Sequence, residues 1–464
     1  MKQTIFMVLF ILSLIATVLP PKRSFSLDED LKRGKLDTKF ITIDRCIEIA
    51  ITNSPQLKEI GLEDDLQSQD VAFSKSYFLP QVDAFAGYSK FEYPMRVIQP
   101  HANNELGIFE KDIVETGFIF KFPIYHGGRY KADFSIAQLG HKRSLESFKI
   151  SRQELIFNIY SVFYKLLQLN ETKKAINASM EALQAHKKTT MVKLDVGRVS
   201  QLDVMKIELR LAQIEQQLST IKSERISLFA LLTQFMGLNI SYDKEFDIIG
   251  DILVDAKNLP SLPNLADAIK RAKAQRPEIM AAHLDLERAG EVIKVAKAGL
   301  LPNVDVLATY TLRGALDYDS VNEDAWYLGV QANLPIYHGG AIRAKINQAN
   351  LRQEQAKERL KSIYLQVESE LQKILARLID SIKRIEVTQK SIAVATETFR
   401  IETAKNEEGK SSINDLLDAH SALLTAEVAH YQSVVDYRIG AVEWKKVVGD
   451  ELWGNLSTSN LGKK

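Results

Sequence analysis

Two kinds of hydrophobic spacing run along this chain, and each occurs twice. In short segments apolar positions recur every second residue: Val82, Ala84, Ala86 and Tyr88 alternate with Asp83, Phe85, Gly87 and Ser89, and Val304, Val306, Ala308 and Tyr310 alternate with Asp305, Leu307, Thr309 and Thr311. A second such segment in each half is cleaner, with Val114, Thr116, Phe118, Phe120 and Phe122 in the first and Trp326, Leu328, Val330, Ala332 and Leu334 in the second. Alternation of this kind predicts strands over 81–93, 113–123, 303–313 and 325–335, each with one apolar face. Elsewhere the period is helical. Leu360, Ile363, Val367, Leu371, Ile374, Leu378, Ile382 and Ile385 are spaced 3, 4, 4, 3, 4, 4 and 3 apart, which predicts an almost straight helix with a lengthwise seam. Neither proline nor a turn cluster interrupts 129–196 or 341–408, so each should be one helix of roughly 100 Å at about 1.5 Å per residue. Glycine turns at Gly197 and Gly409 then lead into return helices over 200–236 and 412–448, ending at Gly237 and Gly449. Shorter helices precede each strand pair: one follows a Thr42 cap, another starts at Pro55 and stops at Pro80, and both recur from Leu265 and Pro277, the last stopped by Pro302.

The recurrence is literal. Pro-Ile-Tyr-His-Gly-Gly occupies Pro123 to Gly128 and again Pro335 to Gly340, 212 residues later. Asp203 falls on Asp415 at the same offset, whereas Pro55 through Tyr88 falls on Pro277 through Tyr310 at an offset of 222, which puts ten extra residues between Phe91 and Ile113. A repeat on this scale sets the architecture before any residue is read singly. The expected fold is mainly α with a small β part: duplicated long helical hairpins forming an α-barrel, and four strands per chain contributing to a shared transmembrane β-barrel. The expected division is a signal peptide over 1–26, a first repeat over 27–249 and a second over 250–464. The linker from Leu238 to Pro263 and the tail after Gly449 are expected against the middle of the helices.

Composition adds three constraints. Lys2, the apolar run from Ile5 to Leu19 and the small residues Ser24 and Ser26 form an export signal, and the run is shorter than the about 20 residues of a spanning helix. Sixty basic and 59 acidic residues are spread evenly, so nucleic acid is not an expected partner. Cys46, the one cysteine, reads as a small buried helix residue. Each strand has the length a tilted strand needs to cross a bilayer, and four strands cannot close on themselves, so in lipid several chains must complete one barrel. Alternation alone also fits a soluble sandwich.

No carboxylate pair, Cys/His cluster, Ser-His-Asp set or phosphate-cradling loop suggests an enzyme, a cofactor or a metal. His126 and His338 each stand alone before Gly-Gly, where turn chemistry accounts for them. Gly197 and Gly409 suit a chain reversal needing positive φ. Ser200 with Asp203, and Ser412 with Asp415, have capping-box spacing, so both aspartates read equally as caps or as functional carboxylates. Asp418 has no capping role, and its repeat counterpart is Lys206.

The duplicated layout, the paired Pro-Ile-Tyr-His-Gly-Gly corners, the Val-Gly and Glu-Gly turns, and Asp415-Leu416-Leu417-Asp418-Ala419 resemble the TolC family of outer-membrane efflux and secretion channels, from about Thr42 to Gly449. The resemblance implies a homotrimer with a barrel in outer-membrane lipid and a helical tunnel in the periplasm. It further implies docking to a periplasmic adaptor (membrane fusion) protein driven by an inner-membrane transporter of the RND, ABC or another class. It places Asp415, Asp418 and Asp203 at a periplasmic constriction, Gly197, Arg198, Gly409 and Lys410 at adaptor contacts, and Pro123, Gly127, Gly128, Pro335, Gly339 and Gly340 at strand-to-helix corners. Two departures stand out. Arg198 and Lys410 are basic where the family more usually has a small or apolar residue, and Asn406 and Ser411 replace a tyrosine and an arginine that tie the family's best-studied gate. The function implied is a passive exit duct opened by adaptor docking. A periplasmic coiled-coil scaffold or tether is the other reading. The exported substrate leaves no trace in the chain.

Overall fold

The computed structural model describes residues 40–96, 109–239, 246–252, 262–315 and 322–453; the expected signal peptide lies outside them. Contacts divide the chain into two units. The smaller is Met1–Ile41 with Ile240–Asp247, and the larger, Thr42–Asn239 with Ile248–Lys464, holds every element considered below.

In that larger unit the order is α1 (Ile43–Asn53), α2 (Pro55–Ser76), β1 (Gln81–Arg96), β2 (Phe109–His126), α3 (Arg129–Asp195), α4 (Gln201–Phe235), α5 (Leu265–Gln275), α6 (Pro277–Ala298), β3 (Asn303–Ala315), β4 (Asn322–Asn333), α7 (Ala341–Glu407) and α8 (Ile413–Val448). Proline opens α2 and α6, where its missing N–H has no partner to lose. The two long helices α3 and α7 are each 67 residues, and both start after a glycine in the left-handed region, Gly128 at φ 80° and Gly340 at φ 81°. Among the described residues no helix is long and apolar enough to cross a membrane.

The four strands form one antiparallel sheet in the order β1-β2-β3-β4. Its register keeps the alternation in phase: Ala84 lies opposite Phe118, Phe118 opposite Tyr310 and Tyr310 opposite Trp326, one row across all four strands. Because side chains alternate faces, one side of the whole sheet is apolar. The two hairpins repeat each other residue for residue from Gln81 to Lys90, where Val82↔Phe120 corresponds to Val304↔Ala332, and part at the register shift beyond Lys90.

Strand ends differ from expectation in an instructive way. The strand expected over 113–123 continues through Pro123 to His126, pairing with Asp305, Val304 and Asn303 across a register shift between Pro123 and Tyr125. Proline is tolerated at such an irregularity because it removes only one N–H from the ladder. Its copy, β4, stops at Asn333, and the identical Pro335–His338 is not strand at all, having no neighbour to pair with.

The helices pack as two hairpins, α3 with α4 and α7 with α8, flanked by α2 and α6. The expected seam on α7 is buried at Leu360, Val367, Leu371, Ile374, Leu378 and Ile385. Ile176 and Leu183 of α3, Ile214 of α4 and Leu424 of α8 form one cluster joining the hairpins, and Ile207, Ile413 and Leu416 form another. Gly250 lies against Leu167 and Phe163, and the Arg152 guanidinium donates to the Trp453 carbonyl, so Gly250 and Trp453 meet α3 near its middle. Cys46 is fully buried, which pushes its thiol up to about 12.

Candidate functional site at the helical turns

The turns between the long and return helices bring most of the expected site residues together. Gly197 (φ 72°) and Gly409 (φ 73°) reverse the chain in the same way. The Arg198 N–H reaches back to the Lys193 carbonyl at 2.8 Å, and the Lys410 N–H to Lys405 at 2.8 Å, closing the last turn of each long helix. Between the two turns lies a cleft of about 530 Å³ lined by Arg198, Asp203, Asn406, Gly409 and Ser412 among others.

Both capping boxes form. The Asp203 carboxylate accepts from the Ser200 N–H at 3.0 Å and hydroxyl at 2.9 Å. Asp415 accepts from the Ser412 N–H at 3.1 Å and hydroxyl at 2.7 Å, while its own N–H donates to Ser412 Oγ at 3.2 Å. These bonds, the Ser412 hydroxyl first, hold the Asp415 carboxyl below the usual carboxylate range. Asp418 is exposed one turn further along α8. It lines a separate groove of about 360 Å³ whose other wall carries Lys206 and Arg210 of α4.

The replacements at 406 and 411 belong to a local network. Asn406 Nδ2 donates to the Ser411 carbonyl at 3.2 Å, and Ser411 Oγ donates to Glu402 at 2.6 Å. One residue not singled out by its local pattern completes the arrangement. Lys193 Nζ donates to the carbonyls of Asn406 at 2.8 Å and Glu407 at 3.4 Å, placing an ammonium on the negative C-terminal end of α7. The bond joins residues 213 apart, and no short-range pattern marks it. Higher up, Arg210 donates to Ser421 at 2.5 Å, and the buried His420 pairs with Ser179 at 3.1 Å, so α4 and α3 are each tied to α8.

The strand-to-helix corners form a second, distant set. His126 stacks on Tyr130, ring centroids 4.4 Å apart, and its Nε2 lies 3.4 Å from Asp305 of β3, a partner beyond simple turn chemistry. Gly127 packs so closely on Ala298 and Leu301 that a Cβ there would sit 2.8 Å from the Leu301 Cβ. Gly339, the same residue in the second copy, meets nothing within 4 Å. Among the described residues no group of three His, Cys, Asp or Glu side chains is placed to hold a metal.

The outer membrane efflux protein family matches residues 46–238 and 268–440, most of the chain and both repeats, and the chain belongs to that family. It is 20% identical over 426 residues to the outer membrane protein TolC of Vibrio cholerae, covering 89% of this chain and 91% of that one. It is also 22% identical over 380 residues to the proteases secretion protein PrtF of Dickeya chrysanthemi, covering 79% of each. The fold matches the crystal structure of the Campylobacter jejuni CmeC outer membrane channel at a TM-score of 0.74 and 18% identity, covering 88% of this chain and 85% of that one. The protein is therefore an outer-membrane channel extending into the periplasm, the exit component of a tripartite efflux or secretion system, and not an enzyme.

Proposed function

We propose that three copies of this chain close a twelve-stranded barrel in outer-membrane lipid above a helical tunnel, and that the periplasmic end is a mouth held shut until an adaptor docks on the turns. In this reading 27–249 and 250–464 are the two repeats and 1–26 is removed on export. Gly197, Arg198, Gly409 and Lys410 meet the adaptor. The basic residues at 198 and 410 suit an adaptor tip of acidic or carbonyl-rich character. The inner-membrane transporter supplies the energy and selects the cargo.

The observation that carries the mouth assignment is the contrast between Asp418 and its neighbours. Asp203 and Asp415 are occupied by Ser200 and Ser412, whereas Asp418 is exposed in a groove with no capping duty. In a three-fold ring Asp415 and Asp418 together contribute six carboxylates, which attract cations and resist ionising at once. Lys193 is the latch in place of the family's tyrosine and arginine, because it clasps the end of α7 from the other hairpin. Single-channel recording in planar bilayers tests this. Asp418→Asn should raise conductance or weaken block by divalent cations, and Lys193→Met should lengthen openings, with assembly intact. Wild-type traces from both variants would remove the mouth from these turns.

A further inference from the structure

Basic and acidic residues are evenly spread along the chain as a whole, yet the fold gathers four separate stretches in which they are not. These are the end of α2 over 71–79, the start of α3 over 129–140, the end of α6 over 292–301 and the start of α7 over 341–352. Tyr77 stacks on Tyr130, a Cβ on Gly127 would meet Ala298, and one on Gly299 would meet Ile342, so the four stand in one row where the helices meet the sheet. They hold Lys75, Lys131, Lys297, Arg343 and further basic residues against a single acid, Asp133, which lies 3.5 Å from Arg129. Lys75, Lys131, Lys297 and Arg343 are all exposed, and none is ion-paired among the described residues. Around Gly409, at the opposite end of α7, acids outnumber bases over 402–418.

Each of these cations occurs in both repeats. Lys75 becomes Lys297 at the offset of 222, and Lys131 becomes Arg343 at the offset of 212, while their surroundings change, Phe78 to Leu300, Ser76 to Ala298 and Asp133 to Lys345. A further turn continues past each lysine. The Phe78 N–H donates to the Lys75 carbonyl at 3.2 Å, and the Leu300 N–H to the Lys297 carbonyl at 3.0 Å. Residues three apart share one side of a helix, so each lysine lies one turn below an apolar residue, Phe78 at 43% and Leu300 at 54% exposed. An apolar anchor with a long basic side chain just outside it suits the boundary between hydrocarbon and phosphate.

We propose that this basic collar binds anionic phospholipid in the periplasmic leaflet, with Lys75, Lys131, Lys297 and Arg343 on headgroup phosphates and Phe78 and Leu300 against the first acyl carbons. The proposal rests on the reading that the sheet belongs to a barrel in lipid, and it adds which lipid the periplasmic rim selects. Lys131 and Arg343 lie three residues past Gly128 and Gly340, about 5 Å along the axis at about 1.5 Å per residue. That distance falls within the roughly 5–8 Å that headgroups occupy on each side of the hydrocarbon. It is also below the Debye length of about 8 Å, so salt leaves the attraction largely intact. A cation so placed strengthens binding to an anionic membrane about fivefold. Ammonium and guanidinium groups both donate N–H to phosphate oxygens. A zwitterionic headgroup offers the same apolar contact but no net charge for the collar to attract.

Lipid retention by the full-length protein tests this. Protein in dodecyl maltoside is given equal amounts of phosphatidylglycerol and phosphatidylcholine, and the lipid it keeps is counted by native mass spectrometry. The wild type is expected to favour phosphatidylglycerol at least about fivefold, and K75Q/K297Q and K131Q/R343Q each to lose about fivefold of that preference or more. K75R/K297R keeps the charge and should keep the preference, and a loss there overturns the role of charge. K361Q/K390Q, which removes as many cations further along α7, should behave as wild type, and a matching loss there overturns the collar as a local site. Equal retention of the two lipids by the wild type overturns it outright. Reversal potentials in phosphatidylcholine bilayers identify another failure: collar variants that alter the selection of cations over anions but not lipid retention would place these side chains in the duct. The barrel is decided separately. Wild-type protein that alkaline carbonate washes off phosphatidylcholine vesicles removes the barrel reading, whereas resident protein without a preference for phosphatidylglycerol removes only the collar.

Discussion

The two long helices are copies of one unit, yet α3 buries 17 of its 67 residues and α7 only 8. Their intrinsic patterns do not explain this, because the central positions match: Ile159 and its counterpart Leu371 are both fully buried. The difference lies in what stands beside them. Helix α3 has α2, α4, α6 and α8 around it, whereas α7 has company on fewer sides. Thus Leu167 is 5% exposed while its counterpart Ile379 is 49% exposed. The corners repeat the lesson in miniature, since Pro123–His126 belong to a strand in one half and the identical Pro335–His338 do not in the other. In a duplicated protein, burial measures position within the fold as much as it measures sequence.

The strongest way to break this equivalence is at the sheet glycines. A Cβ on Gly117 would lie 2.1 Å from the Tyr310 carbonyl, which is backbone and cannot swing aside, so Gly117→Ala should cost about 3 kcal/mol. On Gly329, its counterpart, the clash is with the movable Tyr327 side chain. Gly329→Ala should therefore lower the melting midpoint, followed by circular dichroism, less than Gly117→Ala does. Equal losses in the two variants would mean that the Tyr327 side chain does not move aside.

A second test uses a position where the copies differ. His420 is buried beside Ser179, and its counterpart is Glu208, half-exposed and paired with Lys187 at 2.8 Å. Burial, with Arg210 and His186 adding to it, holds the His420 imidazole down at about 4 against an ordinary 6.5. The folded state therefore binds fewer protons than the unfolded one between those values. Stability is complete above about pH 6.5 and falls as pH drops toward 4, by up to ~3 kcal/mol. Denaturation followed from pH 7 to 4.5 should show this slope in the wild type and a flatter one in His420→Leu. Equal slopes would mean that His420 is not the acid-sensitive group.

The smallest effect is expected at the caps. Asp203→Ala and Asp415→Ala should loosen the first turns of α4 and α8, seen as faster amide exchange there, with the larger change at 415, whose carboxylate also accepts from the Ser411 hydroxyl at 3.4 Å. Because the Asp415 carboxyl sits low, its contribution is present at neutral pH and disappears as pH falls through that lowered value. Identical exchange in both variants would make the two caps interchangeable.

Much of this was legible in the sequence for a physical reason. Strands, long helices and turns depend on periodicity and on glycine φ, which are local, and Gly128, Gly197, Gly340 and Gly409 adopt the left-handed conformation their positions require. The capping boxes were legible for the same reason. What local pattern could not show is contact across the repeats. Lys193 on the end of α7, Asp305 beside His126 and Ser179 against His420 join residues 213, 179 and 241 apart. The departures at Asn406 and Ser411 were visible as departures, but the Glu402 partner of Ser411 lies back along α7 and shows only when the reversal is built.

The two edge strands of the four-stranded sheet also bear on how this protein matures. On the proposed three-copy barrel, β1 and β4 meet neighbouring copies, and the final folding step is then second order or higher in protein. At low expression such a step slows far more than the folding of its helices, which needs only local contacts. Chains waiting for company would carry a rim suited to indiscriminate strand addition, so escort from the exporter to the bilayer matters more for this sheet than for the rest of the polypeptide.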